Sequence, residues 1–394
     1  MSSNNRIFYA CQGVAISNMG NSGTLPATAL GAANMVHGVQ SVSMTTTFNP
    51  EQAFELGQIE IYENIEGTPD VEVTMEKVID GAPLLYHLAS PKATSNGLVG
   101  RSKERCDVAL GIWSDGYDYV GEQGAGNDDQ PQVQIDMSGM YISSVSYSIP
   151  VDGMATESIT LVGNHKSWLK DANTNLNPAG NNFGSDTPIS SGLGGVQRRE
   201  NVMLSNCVFP RDIHGVNGSG LGNGYDAGNK IPRVHFQSFN VSTDFSREDI
   251  MELGRKAPYY RATTFPIEVS CELEMIAVSG DFIGAYEYGD PALFDDDASA
   301  TVASGNNTRE EVIQLTLENA TCFDLGSKNR LSSVSYGGGD ATGGNVSITY
   351  SFTNFNDLDV LSSGDPALAA NAGTMNYSPH QSGITGIGKG TFNK

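Results

Sequence analysis

The sequence predicts a mainly β chain built as two tandem copies of one module. Three observations carry this. Residues 40–57, QSVSMTTTFNPEQAFELG, return as residues 237–254, QSFNVSTDFSREDIMELG, at a constant offset of 237 − 40 = 197, half of the 394-residue length. Two further blocks recur in the same order downstream. The composition, with 46 Gly, 39% hydrophobic and only 17% charged residues, suits many short strands joined by Gly/Asn/Ser/Asp turns.

The first repeated block opens as a strand. Val42, Met44, Thr46 and Phe48 alternate with Ser41, Ser43, Thr45 and Thr47, and Phe239, Val241, Thr243 and Phe245 alternate with Ser238, Asn240, Ser242 and Asp244. Period two means one buried and one wet face. The period then breaks. Asn49 and Ser246 are suitable N-caps, Pro50 suits a first helical position, and Gly57 and Gly254 are helix stops. A short helix is therefore predicted over Asn49–Leu56 and over Ser246–Leu253.

The second block is Val71–Glu76, VEVTME, matched to Ile267–Glu272, IEVSCE, at an offset of 267 − 71 = 196. Val71, Val73 and Met75 face one way, as do Ile267, Val269, Cys271 and Leu273. Glu72 and Glu76 face the other way, as do Glu268, Glu272 and Glu274. The third block pairs Ile142–Tyr147 with Leu331–Tyr336, and Ser158–Thr160 with Ser347–Thr349, at an offset of 331 − 142 = 189. Two strands at fixed spacing around a Gly/Asp turn predict a hairpin. A fainter echo links Ile7–Ala15 to Val202–Phe209, each with a cysteine.

These blocks divide the chain into a module over 1–195 and a second over 196–394. Between blocks, 88–131 is expected to be a loop insertion of the first copy, 171–199 the linker, and 362–394 a flexible tail; 211–231 and 283–308 also read as loops.

With 22 Lys+Arg against 45 Asp+Glu the net charge is −23, which argues against nucleic-acid binding by counterion release. It leaves room for a surface past which nucleic acid slides without sticking. No apolar run approaches a membrane span, and MSSNNRIFYACQG has no signal-peptide pattern, so synthesis in a cytosol is expected. The five cysteines, Cys11, Cys106, Cys207, Cys271 and Cys322, share no metal-type spacing and are expected to be reduced thiols.

No catalytic, cofactor or metal residue is assigned. Residues 383–389, GITGIGK, fit the start of a phosphate loop, but Gly390 stands where a hydroxyl should bind magnesium. Asp290 and Asp295–Asp297 lack the EF-hand spacing, and the six histidines are scattered. Carboxylates repeated at strand spacing in both copies fit a duplicated surface better than a single asymmetric glycosidase pair. The chain is therefore not expected to be an enzyme.

The stretches FNPEQAFELGQIEIYENI and VEVTMEKV, with FSREDIMELGRKAPYYRATTFPIEVSCELEMI, LTLENATCFDLGSKNRLSSVSY and SITYSF, resemble major tail tube proteins of tailed bacteriophages, in the version with two fused modules. The resemblance covers about 39–78 and 232–358 and rests on strands rather than on a catalytic motif. It implies β-sandwich or split-barrel modules, each with a flanking helix, joined into a ring-shaped β-barrel around a channel. It implies self-association as stacked rings, of three chains with six-fold pseudo-symmetry or of six chains. The implied partners are tail terminator, baseplate or tip proteins, tape measure and sheath. DNA would pass through without specific binding, no membrane would be involved, and the protein would sit in the virion tail after synthesis in the bacterial cytoplasm. On that reading Glu72, Glu76, Glu268, Glu272 and Glu274 line the channel. Another β-rich virion part, such as a connector, decoration protein or receptor-binding module, is the alternative.

Overall fold

The computed structural model describes residues 6–18, 34–90, 97–114, 131–170, 174, 176, 195–203, 207–210, 235–276, 310–319, 321–337 and 344–362. Its elements are, in chain order, β1 (Gln12–Asn18), β2 (Asn34–Met35), β3 (Val39–Thr47), β4 (Glu51–Ala53), β5 (Glu63–Ile65), β6 (Asp70–Val78), α1 (Leu85–Ala89), α2 (Leu98–Arg101), β7 (Arg105–Ile112), β8 (Val133–Pro150), β9 (Thr156–Gly163) and β10 (His165–Lys170). They continue with β11 (His235–Asp244), β12 (Arg247–Ile250), β13 (Tyr260–Thr263), β14 (Glu268–Ile276), β15 (Gln314–Thr316), β16 (Cys322–Asp324), β17 (Arg330–Gly337), β18 (Ser347–Phe355) and β19 (Asp359–Leu361). The chain is mainly β, and every strand pair is antiparallel.

Alternation along these strands produces one large sheet. Eight strands run in the order β3-β6-β9-β8-β11-β14-β18-β17. The first four and the last four repeat the same order of elements. Both sets carry a β-bulge at the same two places. The β3–β6 ladder shifts between Val39 and Ser41 and the β11–β14 ladder between Phe236 and Ser238. The β8–β9 ladder shifts between Ile142 and Ser144 and the β17–β18 ladder between Leu331 and Ser333. The joint between the halves is the β8–β11 ladder.

One face of this sheet is apolar and closed. Val71, Val73, Met75, Ile159, Leu161, Val145, Tyr147, Val241, Val269, Cys271, Leu273, Tyr350 and Phe352 are all buried there. A second layer covers it. In the first half β8 runs on as one long strand, and its N-terminal part joins β7 and β10, with β1 and β2 beyond β7. In the second half β15, β16 and β19 form a separate three-stranded sheet. Phe323 of β16 packs on Tyr147 and Phe239, at centroid distances of 4.7 and 6.3 Å. Val208 bridges to Gln314 as β1 pairs with β7, which places the two cysteine-containing segments alike. All five cysteines are free and buried.

A buried polar knot fixes α1 on the sheet. Glu157 is fully buried and accepts from the backbone N–H of Leu85 at 2.6 Å and of Tyr86 at 3.0 Å, and from the Tyr147 hydroxyl at 3.1 Å. Burial pushes its carboxyl above the ordinary range, with the two N–H groups and Lys77 opposing. Lys77, its cross-strand partner, is also buried and bonds Asp80 at 2.6 Å.

Four sequence expectations change. Neither predicted helix forms. Residues 51–53 pair with 63–65, and 247–250 with 260–263, as two short hairpins. Asn49 spends its side chain on Asp70, 3.0 Å away, rather than capping a helix, and Ser246 sits at φ +43°. A helix of about seven residues needs an apolar face packed on something to hold together, and here Phe48, Phe54, Leu56, Met251 and Leu253 are exposed. The hairpin instead closes its backbone bonds on itself. The two glycines keep a structural reason: at φ +95° and +87° Gly57 and Gly254 make the turns.

The stretch 88–131 is not wholly a loop insertion. It contains α2 and β7, whose Cys106–Ile112 run is buried throughout. Finally, the second block is out of step by two. The ladders place Val71 opposite Thr46 and Val269 opposite Thr243, so Val71 corresponds to Val269 rather than to Ile267. The same slip moves the second part of the third block: Ser158 stands opposite Ser146 and Thr349 opposite Ser335, so Ser158 corresponds to Thr349 rather than to Ser347. The linker 171–199 is described only at 174, 176 and 195–199. The tail beyond residue 362, with 383–389, and the loops 211–231 and 283–308, with Asp290 and Asp295–Asp297, lie outside the described residues.

Candidate functional site

The apolar face is closed, so the opposite face of the eight-stranded sheet is the surface that can act. Its side chains fall into rows that cross the strands. One row reads Ser41, Glu76, Ser158, Ser146, Ser242, Ser270, Thr353 and Arg330, one residue from each strand. The next reads Thr156, Ser148, Asn240, Glu272, Ser351 and Ser333. Another carries Ser238, Glu274, Thr349 and Ser335.

Small hydroxyls and carboxylates make up these rows. They bond sideways to one another, Ser148 to Asn240 at 2.8 Å and Ser238 to Glu274 at 3.3 Å, as do Thr74 and Thr160 at 3.3 Å in a further row of the same face. Within the rows Arg330, on an edge strand, is the sole cation. Glu72, Glu76, Glu268, Glu272 and Glu274 all stand on this face; Glu72, Glu268 and Glu272 are exposed, the other two half-buried. Sequence periodicity thus placed the five on one face, opposite the core. It did not reveal that both halves share one continuous surface, because the β8–β11 joint carries no sequence signal.

The sheet has two free edges among the described residues, β3 and β17, each with one partner strand. No closed barrel forms among the described residues. The edges are less covered than their counterparts at the joint: Tyr147 is 1% exposed, while Tyr336, in the same place on β17, is 53% exposed.

The hairpins are the third feature. Their turns close by Gln58 N–H donating to Glu55 O at 3.2 Å and Arg255 N–H to Glu252 O at 3.3 Å. Leu56, Ile59 and Leu253 are fully exposed at or beside the turns. The root of β12–β13 is tied to the first half. Arg261 Nη2 lies 2.5 Å from Asp70, and its Nε lies 3.0 Å from Asp249. Arg247 donates to Ile142 O at 2.8 Å, and Tyr260 meets Tyr141 edge-on at 5.8 Å. Burial lowers the Arg247 pKa to about 10, with the two tyrosines opposing.

No protein-family model matches the chain, and no curated protein matches it. Among solved structures it is similar to the tube-terminating cap of the anti-feeding prophage, with a TM-score of 0.29 and 13% identity over 43% of this chain and 95% of that one. It is also similar to the sheath–tube complex of an extracellular contractile injection system, PVC, in its extended state, with a TM-score of 0.29 and 12% identity over 42% of this chain and 93% of that one. A likeness this loose carries no functional argument. No helix among the described residues is long and apolar enough to cross a membrane.

Proposed function

We propose that the chain is a structural subunit of a phage-type tail tube, two copies of one module fused, which polymerises as rings around an anionic channel. The observation that carries this reading is the eight-stranded sheet itself. Among the described residues it is open at both edges, closed on its apolar face, and carries on the other rows made mainly of hydroxyls and carboxylates, with Arg330 as the cation of those rows. Repeated ring-wise, such a sheet makes a conduit with its polar face inward.

The mechanism is a negative property. Carboxylates repel DNA phosphates over a Debye length of roughly 8 Å at physiological salt, and short hydroxyls offer no long cationic arm to hold them. Glu72, Glu76, Glu268, Glu272 and Glu274 supply the charge, and no residue performs chemistry. The hairpins, with apolar side chains aimed away from their own fold, suit contact between rings. The module equivalence is supported by the repeated strand order and the paired bulges. Three chains would supply six modules to a ring.

Exchanging Glu72, Glu76, Glu268 and Glu272 for Lys tests the channel. Tubes should still assemble, since these side chains face away from the core, while DNA ejection should slow. Ejection at the normal rate would overturn the assignment of this face to the lumen.

A further inference from the structure

The chain contains a worked example of how two of its own sheets join. Strand β11 runs beside β8 with seven opposed pairs, from Asp244 opposite Ser144 to Ser238 opposite Pro150. In the order of the sheet β3 stands where β11 stands, and β17 stands where β8 stands, yet among the described residues each lacks a second neighbour. The bulges fix the correspondence residue by residue. Gln40 occupies the bulge that Gln237 occupies, giving 237 − 40 = 197, and Ser332 occupies that of Ser143, giving 332 − 143 = 189.

We infer that a second copy of this chain fills both vacancies, β17 of one copy pairing antiparallel with β3 of the next in the register of the internal joint. Carried over, Val241 opposite Tyr147 becomes Met44 opposite Tyr336, and Ser242 opposite Ser146 becomes Thr45 opposite Ser335. The half-exposed Tyr336 then gains the cover that Tyr147 has. Unpaired edges of this length are otherwise templates for uncontrolled association. The contact is head to tail, so it closes into a ring or runs on as a helix.

The hairpin repeats the lesson with changed chemistry. At the internal joint Tyr260, opposite Ile250 in its hairpin, rests on Tyr141. The corresponding residue of β4–β5 is Glu63, opposite Ala53, and Tyr141 corresponds to Arg330. An aromatic pair inside the chain is thus replaced, between chains, by an acid and a base. Both are exposed, and among the described residues the Arg330 guanidinium pairs with Glu310, at 3.6 Å. A Glu63–Arg330 contact would favour the joint between copies over β3 pairing with a wrong edge.

This inference rests on the self-assembling reading above and can fail separately from it. Full-length chains carrying Thr45→Cys with Ser335→Cys, or Met44→Cys with Tyr336→Cys, are oxidised with diamide after assembly. One of these adjacent pairs is a non-hydrogen-bonded pair, whose closer Cα atoms suit a disulfide. The native cysteines are buried and give little background. Covalent dimers and trimers are expected from one or both pairs, and not from Ser43→Cys with Ser335→Cys, which is out of register by two. Glu63→Lys should weaken assembly by tenfold or more, and adding Arg330→Glu should restore it; rescue also shows that the single variant folds. Rings that form without the matched cross-links, or that cross-link only in the shifted pair, overturn the joint and leave the tube assignment standing. A wild-type chain that stays monomeric overturns both.

Discussion

Asp359 and Glu157 show what single residues contribute. Burial, then the charges of Asp324 and Asp357, raises the Asp359 pKa to about 6, with Arg101 opposing. A folded pKa above the unfolded value of 3.8 means that protonation stabilises the fold. The contribution is complete below about pH 4 and is lost as pH rises to about 6. Asp359→Asn should therefore add up to about 3 kcal/mol at pH 7 and little at pH 4, by urea unfolding at both values. An equal effect at both would show that the carboxyl is not the source. Glu157 works through its acceptors. Glu157→Ala leaves the Leu85 and Tyr86 N–H groups buried without it and should cost on the order of 3 kcal/mol. Glu157→Gln, which keeps one acceptor oxygen, should cost less.

At the scale of elements, what sequence could say was limited by what periodicity can distinguish. A slip of two along a strand leaves every side chain on its own face. The polar side of Glu72 and Glu268 was therefore legible, while the pairing of Val71 with Val269 had to wait for the ladders. Strand β7 was hidden because a strand buried on both faces does not alternate. The hairpins were misread because Asn49-Pro50 and Gly57 spell helix signals equally well as turn signals. These hairpins give an element-scale test. Leu56→Ser with Leu253→Ser removes side chains that are fully exposed among the described residues, so the urea midpoint should not move. Assembly, followed by sedimentation, should stop at single rings or smaller. Unaltered tubes would remove the hairpins from the ring-to-ring contact.

For the whole molecule, composition pointed to a surface that avoids phosphate, and the fold gathers that property on one face. The net charge of −23 alone could belong to any acidic protein. On the proposed reading, a sheet with one closed face, one polar face and two open edges turns it into a wall extended by copies of itself. The β8–β11 ladder joins the two halves within the chain, and on the proposed reading it is the pattern for the joint between copies. The central claim is that this wall closes. Electron microscopy of the purified full-length protein, with mass measurement of the dissociated ring, tests it most directly. Hollow tubes of stacked rings, three chains to a ring, are expected. Monodisperse single chains at high concentration, with no rings at any salt, would contradict it.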